Sequence, residues 1–151
     1  MTGPQELQTK ISALGDSLKS GPLADKAYVA PFLSAATTDD SGERFFPEFF
    51  EDFHSESLSI LETVRKTVDD FLAGRTVPAP QLFDAFRLTH TLKGSAATMG
   101  FIQLSQMAHG VEKVFESLKD SIETPKREVV LLLQDGFSLV EELVSQLKAS
   151  K

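Results

Sequence analysis

The sequence predicts an all-α protein, an up-and-down antiparallel four-helix bundle with a small helical extension at its N-terminal end. From residue 46 onward, apolar residues recur every three to four positions, which is the period of an amphipathic helix. No segment alternates polar and apolar residues between hairpin turns, so there is little indication of a sheet. Four long helices joined by short connections are typical of this bundle topology.

Residues 1–45 are predicted to form the extension, which we expect to be partly helical and to end in a flexible linker. A short helix is indicated by four apolar residues about one turn apart, Leu7, Ile11, Leu14 and Leu18. We expect Gly15 to weaken this helix and the sequence Ser-Gly-Pro at 20–22 to end it. Residues 26–33 indicate one or two further turns interrupted by Pro31, and the polar segment 37–43 is typical of a linker.

Residues 46–151 are predicted to form the bundle, with most of the twelve phenylalanines filling its core. Pro47 and Pro125 suit the first turns of helices, whereas Gly74 and Gly100 suit their ends. The second helix is expected to begin after Pro80. The four helices are therefore expected over approximately residues 47–73, 81–100, 103–119 and 125–149.

Composition excludes several classes of function. The formal net charge of −7 disfavours binding to nucleic acid, whose phosphates would repel the chain. No apolar run is long enough to span a bilayer, no glycine-rich phosphate cradle indicates an ATP site, and no cysteine is present for disulfides or thiolate metal ligands. We therefore expect a cytoplasmic protein without membrane insertion and with no cofactor or metal of its own.

The most informative segment is the stretch from His90 to Gly100, HTLKGSAATMG. Because a helix turns about 100° per residue, His90, Lys93, Gly94 and Ala97 share one face of the second bundle helix. An imidazole beside an ammonium and a position without a side chain could hold a phosphoryl group and admit another protein. Gly94 costs a helix interior about 1 kcal/mol relative to alanine, so we expect it to provide clearance or to pack against a neighbouring helix.

A second candidate pair, His109 and Glu112, lies three residues apart on the next helix. Both flank the apolar stripe of that helix and can face His90. A carboxylate bonded to one ring nitrogen of a histidine fixes its tautomer and raises the basicity of the other nitrogen. Glu112 is therefore the candidate acceptor that orients the His90 ring, and His109 is a candidate supporting hydrogen-bond partner.

Together these residues resemble a known signature. The segment HTLKGSAATMGF (90–101), preceded by FRLT (86–89) and followed by HGVE (109–112), is similar to the phosphorylation site of histidine phosphotransfer (HPt) domains. The similarity is greatest to the N-terminal domain of CheA-type chemotaxis histidine kinases and extends over residues 46–149. Residues 1–45 do not match the usual start of that domain.

The resemblance implies a function and a role for each site residue. His90 would accept a phosphoryl group, Lys93 would be the cation beside it, Gly94 would give a partner clearance, and His109 and Glu112 would form the network around the imidazole. The donor would be an ATP-bound histidine kinase domain, and the acceptor would be an aspartate of a CheY-like response-regulator receiver domain with its Mg²⁺. The resemblance also favours the chain being the N-terminal piece of a kinase.

We expect partners to bind a docking strip on the second bundle helix around His90, formed by Phe83, Arg87, Lys93 and Ala97. Three alternatives remain at this point. A metal-binding bundle could use His90, His109 and Glu112, although the second helix lacks the further carboxylates of di-iron bundles. An adaptor or regulatory bundle could bind a receiver or kinase domain without chemistry. An inhibitor derived from such a bundle could have lost phosphorylation, although it would then have retained His90.

Overall fold

A computed structural model describes residues 3–38, 45–121 and 124–148 of the chain. Every regular element in these ranges is helical, which confirms the predicted all-α class. The elements are, in chain order, α1 (Pro4–Ser20), α2 (Val29–Thr37), a 3₁₀ turn (Pro47–Phe49), α3 (Phe50–Leu72), α4 (Ala79–Met99), α5 (Ile102–Asp120) and α6 (Arg127–Ser145).

Helices α3 to α6 form the bundle. Each packs against the next along the chain, and α3 also packs against α6, which closes the ring of four helices. Their apolar stripes meet in one core, whose largest fully buried side chains include Phe101, Phe115, Phe137, Leu92, Leu104, Met107 and Leu133. Burial of these stripes, rather than helix propensity alone, stabilises helices of this length.

The helix boundaries differ from the predicted ones by a few residues, mostly at the ends. The first bundle helix opens with a 3₁₀ turn, and Phe49 is exposed rather than part of the apolar stripe. The last helix begins at Arg127 rather than Pro125 and ends at Ser145, four residues before the predicted end. Frayed terminal turns are where an apolar pattern is least informative, because their backbone groups are already bonded to solvent or caps.

Gly100 ends α4 in the manner the sequence predicts. Its φ of 87° lies in the left-handed region that glycine adopts without strain. The N–H of Phe101 then donates to the carbonyl of Ala96 at 2.9 Å, and the N–H of Gly100 donates to Ala97 at 3.1 Å. This turn reverses the chain at once, so that α5 runs back along α4 and brings the two candidate site helices side by side.

The N-terminal extension is more regular than the sequence predicts. Gly15 does not shorten α1, which has 17 residues; a Cβ there would lie 3.1 Å from Ala36, so the glycine lets α1 and α2 pack closely. Pro31 does not interrupt α2, because it lies in the first turn, where its missing N–H has no helical partner. The predicted linker 37–43 lies outside the described residues from position 39 onward.

The extension shares its core with the bundle. Helix α2 packs on α5, and α1 packs on α2 and α6. The ring of Phe32, which is fully buried, occupies the space left by two glycines: a Cβ would lie 2.6 Å from it at Gly110 and 2.8 Å at Gly136. The side chain of Gln103 adds hydrogen bonds to Gln8 at 2.8 Å and to the carbonyl of Ala35 at 3.1 Å. The extension is thus fixed directly to the helix that carries Glu112.

Candidate functional site

Helix α4 presents His90 to solvent. The residues one position before and two positions after it, Thr89 and Leu92, are buried, so the opposite face of α4 provides the helix packing. The His90 side chain is 62% exposed. The imidazole is therefore held on a rigid helix within the bundle while remaining open to another molecule.

Glu112 of α5 fixes the orientation of the His90 ring. Its Oε2 lies 2.5 Å from His90 Nδ1, the distance of a short charge-assisted hydrogen bond. A carboxylate only accepts hydrogen bonds, so Nδ1 carries the proton and donates it. The other ring nitrogen, Nε2, is consequently the one whose lone pair is free for an incoming electrophile.

Lys93 binds the same carboxylate. Its ammonium lies 2.8 Å from Glu112 Oε1, whereas the imidazole takes Oε2. The Lys93 side chain is mostly covered, and Glu112 is only 5% exposed. The sequence predicted an ammonium beside a phosphoryl group, and the structure gives this ammonium a buried carboxylate as its partner.

The environment of Glu112 keeps it ionised. Burial raises the pKa of this carboxyl, but the hydrogen bonds and charges of Lys93 and His90 act in the opposite direction and lower its pKa below the ordinary value overall. A negative charge therefore sits permanently behind the His90 ring at neutral pH. It can stabilise positive charge that develops on the imidazole.

Gly94 leaves open space next to His90. A Cβ built at this position meets no atom within 4 Å, so packing between helices does not require a glycine there. The space faces solvent, one turn after the imidazole. Of the two explanations considered from the sequence, only clearance for an approaching molecule agrees with this geometry.

A hydrogen bond between α4 and α5 fixes the two halves of the site relative to one another. The hydroxyl of Ser105 on α5 donates to the carbonyl of Lys93 on α4 at 3.0 Å. This carbonyl belongs to the turn that contains the Lys93 ammonium and precedes Gly94. The sequence analysis did not identify Ser105, because a serine on a polar-apolar boundary carries no recognisable signal.

His109 is half-buried on α5 but forms no hydrogen bond or ion pair within the described part of the chain, so its predicted bond to the imidazole is not present. Burial and the nearby positive charge of Lys93 lower the pKa of His109. It therefore favours the neutral form next to the Lys93–Glu112 pair. The remaining histidine, His54, lies elsewhere, stacked on Phe50 and bonded to the Val144 carbonyl.

The docking strip predicted from the sequence is exposed where it was expected. Phe83, Arg87 and Ala97 all lie on the solvent side of α4. Arg87 has only a long contact of 3.8 Å with Asp84, so its guanidinium is available to a partner. Lys93 differs from the other three residues, because its ammonium is turned towards Glu112.

The structure adds a groove beside His90 that the sequence did not reveal. It has a volume of about 710 Å³ and runs between the start of α3 and the second half of α4. We call it the aromatic groove; its lining residues are Phe46, Phe49, Asp52, Phe53, Glu56, His90, Thr91, Gly94, Ser95, Thr98 and Met99. Phe49 had been taken from its spacing as a core residue, and nothing in the sequence indicates how the turn at Phe46 aims it outward.

Two surveys of the described residues bear on other kinds of site. No group of three or more His, Asp or Glu side chains in ranges 3–38, 45–121 and 124–148 has a geometry that could hold a metal ion. In the same ranges, none of the helices has the length and apolarity required to cross a bilayer.

Comparison with known proteins agrees with this geometry. A sequence model of the Hpt domain matches residues 48–150, which include α3 to α6 and every candidate site residue. The "Chemotaxis protein CheA" of Borreliella burgdorferi is 28% identical over 107 residues, 71% of this chain, but the match covers only 12% of that relative. No solved structure matches the chain significantly. The chain belongs to the Hpt domain family, the phosphoryl carriers of two-component phosphorelays.

Proposed function

We propose that His90 is the phosphoryl-accepting residue and that it passes the phosphoryl group from a histidine kinase domain to a response-regulator receiver domain. The observation that carries this proposal is the hydrogen bond from His90 Nδ1 to the buried Glu112, which leaves Nε2 as an exposed nucleophile. Site and family agree, because the exposed imidazole lies inside the segment that matches the Hpt domain.

The chemistry at His90 follows from the state of its two nitrogens. The Nε2 lone pair attacks the γ-phosphorus of ATP bound to the kinase, a P–N bond forms, and the bond from phosphorus to the ADP oxygen breaks. In the second step a carboxylate oxygen of the receiver aspartate attacks the same phosphorus, and the P–N electrons return to Nε2. Proximity and electrostatic stabilisation account for most catalysis in phosphoryl transfer, and the bundle supplies part of both.

Glu112 supports both steps through charge. When Nε2 forms its bond to phosphorus, positive charge develops on the ring, and the carboxylate 2.5 Å from Nδ1 stabilises it. When the group leaves, Nδ1 keeps its proton, so the ring returns to the tautomer from which it started. Glu112 is thus a positioning residue that acts through His90.

Lys93 and Gly94 adapt the surroundings to a dianionic group. Lys93 neutralises Glu112 in the unphosphorylated site, and its flexible side chain can turn from Oε1 towards phosphoryl oxygens near Nε2. Gly94 leaves the space through which the partner's reactive atoms approach. His109 contributes a half-buried neutral imidazole beside Lys93, which favours the orientation of the ammonium towards anions.

The proposal extends to partners and context. We infer a CheA-type kinase as donor, with ATP bound there, and a CheY-like receiver as acceptor, with Mg²⁺ bound there, so that the chain serves chemotaxis-type signalling in the cytoplasm. The similarity to a chemotaxis protein and the lack of cysteine support this inference. Since the chain spans about an eighth of that relative, the kinase activity belongs to other domains.

Phosphorylation itself tests the proposal. The chain is incubated with a chemotaxis-type kinase catalytic domain and labelled ATP, and the label is examined for the acid lability and alkali stability of a phosphohistidine. We expect wild type and His54→Gln to take up label and His90→Gln to take up none. Label in His90→Gln equal to that in wild type would disprove the assignment. A chain that binds kinase or receiver but takes up no label would instead be the adaptor considered from the sequence.

A further inference from the structure

We propose that the aromatic groove is the docking site for the acceptor receiver domain, which inserts an apolar side chain flanked by lysine or arginine. This inference rests on the proposed function and adds to it the surface that selects the partner. The groove has His90 and Gly94 in its wall, so a protein seated there covers the imidazole.

The first observation is a concentration of exposed aromatic side chains. Phe45, Phe46 and Phe49 are 47%, 50% and 55% exposed, respectively, and they follow one another at the start of α3. Most exposed apolar residues of a monomeric domain are scattered singly. Three phenylalanines at the mouth of an apolar groove instead form an anchoring surface of the kind found at the centre of protein interfaces.

The second observation is the backbone that holds these side chains outward. Phe46 has φ 54° and ψ 51°, the left-handed conformation that costs a residue with a side chain of this size about 1 kcal/mol or more. Two hydrogen bonds fix the turn: the Phe45 N–H donates to the carbonyl of Met99 at 3.0 Å, and the Phe49 N–H donates to Phe46 at 2.9 Å. The turn is thereby tied to the end of α4, close to the site.

The third observation is unpaired negative charge. Asp52 and Glu56 line the α3 side of the groove, and neither forms an ion pair or a hydrogen bond within the described part of the chain. Lys93, the cation nearest His90 on α4, is bound to Glu112 instead. The groove therefore combines apolar walls with two free carboxylates, and an occupant that supplies both an apolar group and a cation matches it.

The same charges favour the acceptor over the donor. A kinase brings the triphosphate of ATP to His90, and Asp52 and Glu56 repel those phosphates. A receiver brings one reactive carboxylate accompanied by Mg²⁺, whose positive charge the two carboxylates attract. A free nucleotide is disfavoured for the same reason, so the groove suits a protein surface.

Transfer kinetics test the proposal. The chain is phosphorylated to completion, the kinase and ATP are removed, and kcat/KM is measured for transfer to an isolated Mg²⁺-loaded receiver domain of a chemotaxis-type response regulator. We expect Phe49→Ser to lower kcat/KM about tenfold, as loss of an anchoring aromatic residue does. Asp52→Asn combined with Glu56→Gln should lower it about threefold and flatten its dependence on ionic strength. Loading of His90 by the kinase should fall less than transfer in both variants.

Two matched substitutions serve as controls. Leu58→Ser and Glu62→Gln lie on the same helix, are exposed, and are not part of the groove lining. Both should transfer within about twofold of wild type. Phe46→Asn, which suits the left-handed turn, keeps the backbone while removing an aromatic anchor and should lower transfer without lowering thermal stability.

The outcomes separate this inference from the proposed function. Transfer by Phe49→Ser within twofold of wild type, or an equal loss in the controls, would overturn the docking assignment. A larger loss in loading than in transfer would assign the groove to the donor instead. Calorimetric binding of the receiver to the unphosphorylated chain, with and without Phe49→Ser, tests docking even if His90 takes up no phosphoryl group, a result that would contradict only the proposed function.

Discussion

At the residue scale, the site depends on one buried carboxylate with two partners. The sequence places His90, Lys93 and Glu112 on facing helices, and their spacing is sufficient to predict that they approach one another. It does not show that Glu112 is 5% exposed or that Lys93 binds it, because both facts depend on how deeply α5 sits behind α4. His109 illustrates the same limit: helical spacing brings it near the site but does not give it a hydrogen-bond partner.

Glu112→Gln tests the charge of this carboxylate through the pH dependence of stability. The folded pKa of Glu112 lies below its ordinary value of 4.5, so its stabilising contribution is complete above that pH and is lost as pH falls through the lowered pKa. Wild type should exceed the variant by roughly 1–3 kcal/mol at pH 7, with the difference shrinking below pH 4.5. Urea unfolding at several pH values measures it; a constant difference from pH 7 to pH 3 would contradict the assignment.

Gly94 allows stability and transfer to be separated at one position. Because a Cβ meets no atom there, Gly94→Ala should raise the free energy of unfolding by about 0.5–1 kcal/mol through helix propensity. Gly94→Leu should also fold but should strongly slow phosphotransfer, since its side chain fills the space beside His90. Thermal unfolding and single-turnover transfer give the two readouts. A Gly94→Leu chain that transfers as fast as wild type would show that no partner approaches over this position.

At the element scale, the main difference from the sequence-based expectation is the N-terminal extension. Its helices could be predicted from the spacing of Leu7 and Ile11, but their attachment to the bundle could not. Phe32 belongs to one segment, and the glycines that receive it belong to two others about 80 and 100 residues further along the chain. In the sequence, Gly110 and Gly136 are isolated helical glycines with nothing to indicate what packs against them.

Packing of Phe32 predicts opposite effects for glycines that look alike in the sequence. Gly136→Ala places a methyl group against the ring and should destabilise the fold by roughly 1–3 kcal/mol, whereas Gly94→Ala should stabilise it. Phe32→Ala should cost about 3–5 kcal/mol through the cavity it leaves. Denaturant unfolding compares the three variants. If Gly136→Ala were as stable as wild type, α2 would not pack on the bundle as described.

At the scale of the whole molecule, the predicted bundle is confirmed because its helices are long, strongly periodic and joined by short connections. The aromatic groove could not be predicted, since it arises from one left-handed residue, Phe46, and from the way the end of α4 meets the start of α3. Apolar periodicity assigns each residue to the inside or the outside of a helix. It contains no information about concave surface between two helices.

The central claim is that this bundle carries a phosphoryl group on one nitrogen of one histidine. The measurement that tests it most directly is long-range ¹H–¹⁵N correlation NMR of the imidazole rings, recorded before and after phosphorylation by a kinase catalytic domain. The account predicts that of the three histidines His90 alone changes, with phosphorus on Nε2 and a proton retained on Nδ1 facing Glu112. Phosphorus on Nδ1 of His90, or on His54 or His109, would contradict it.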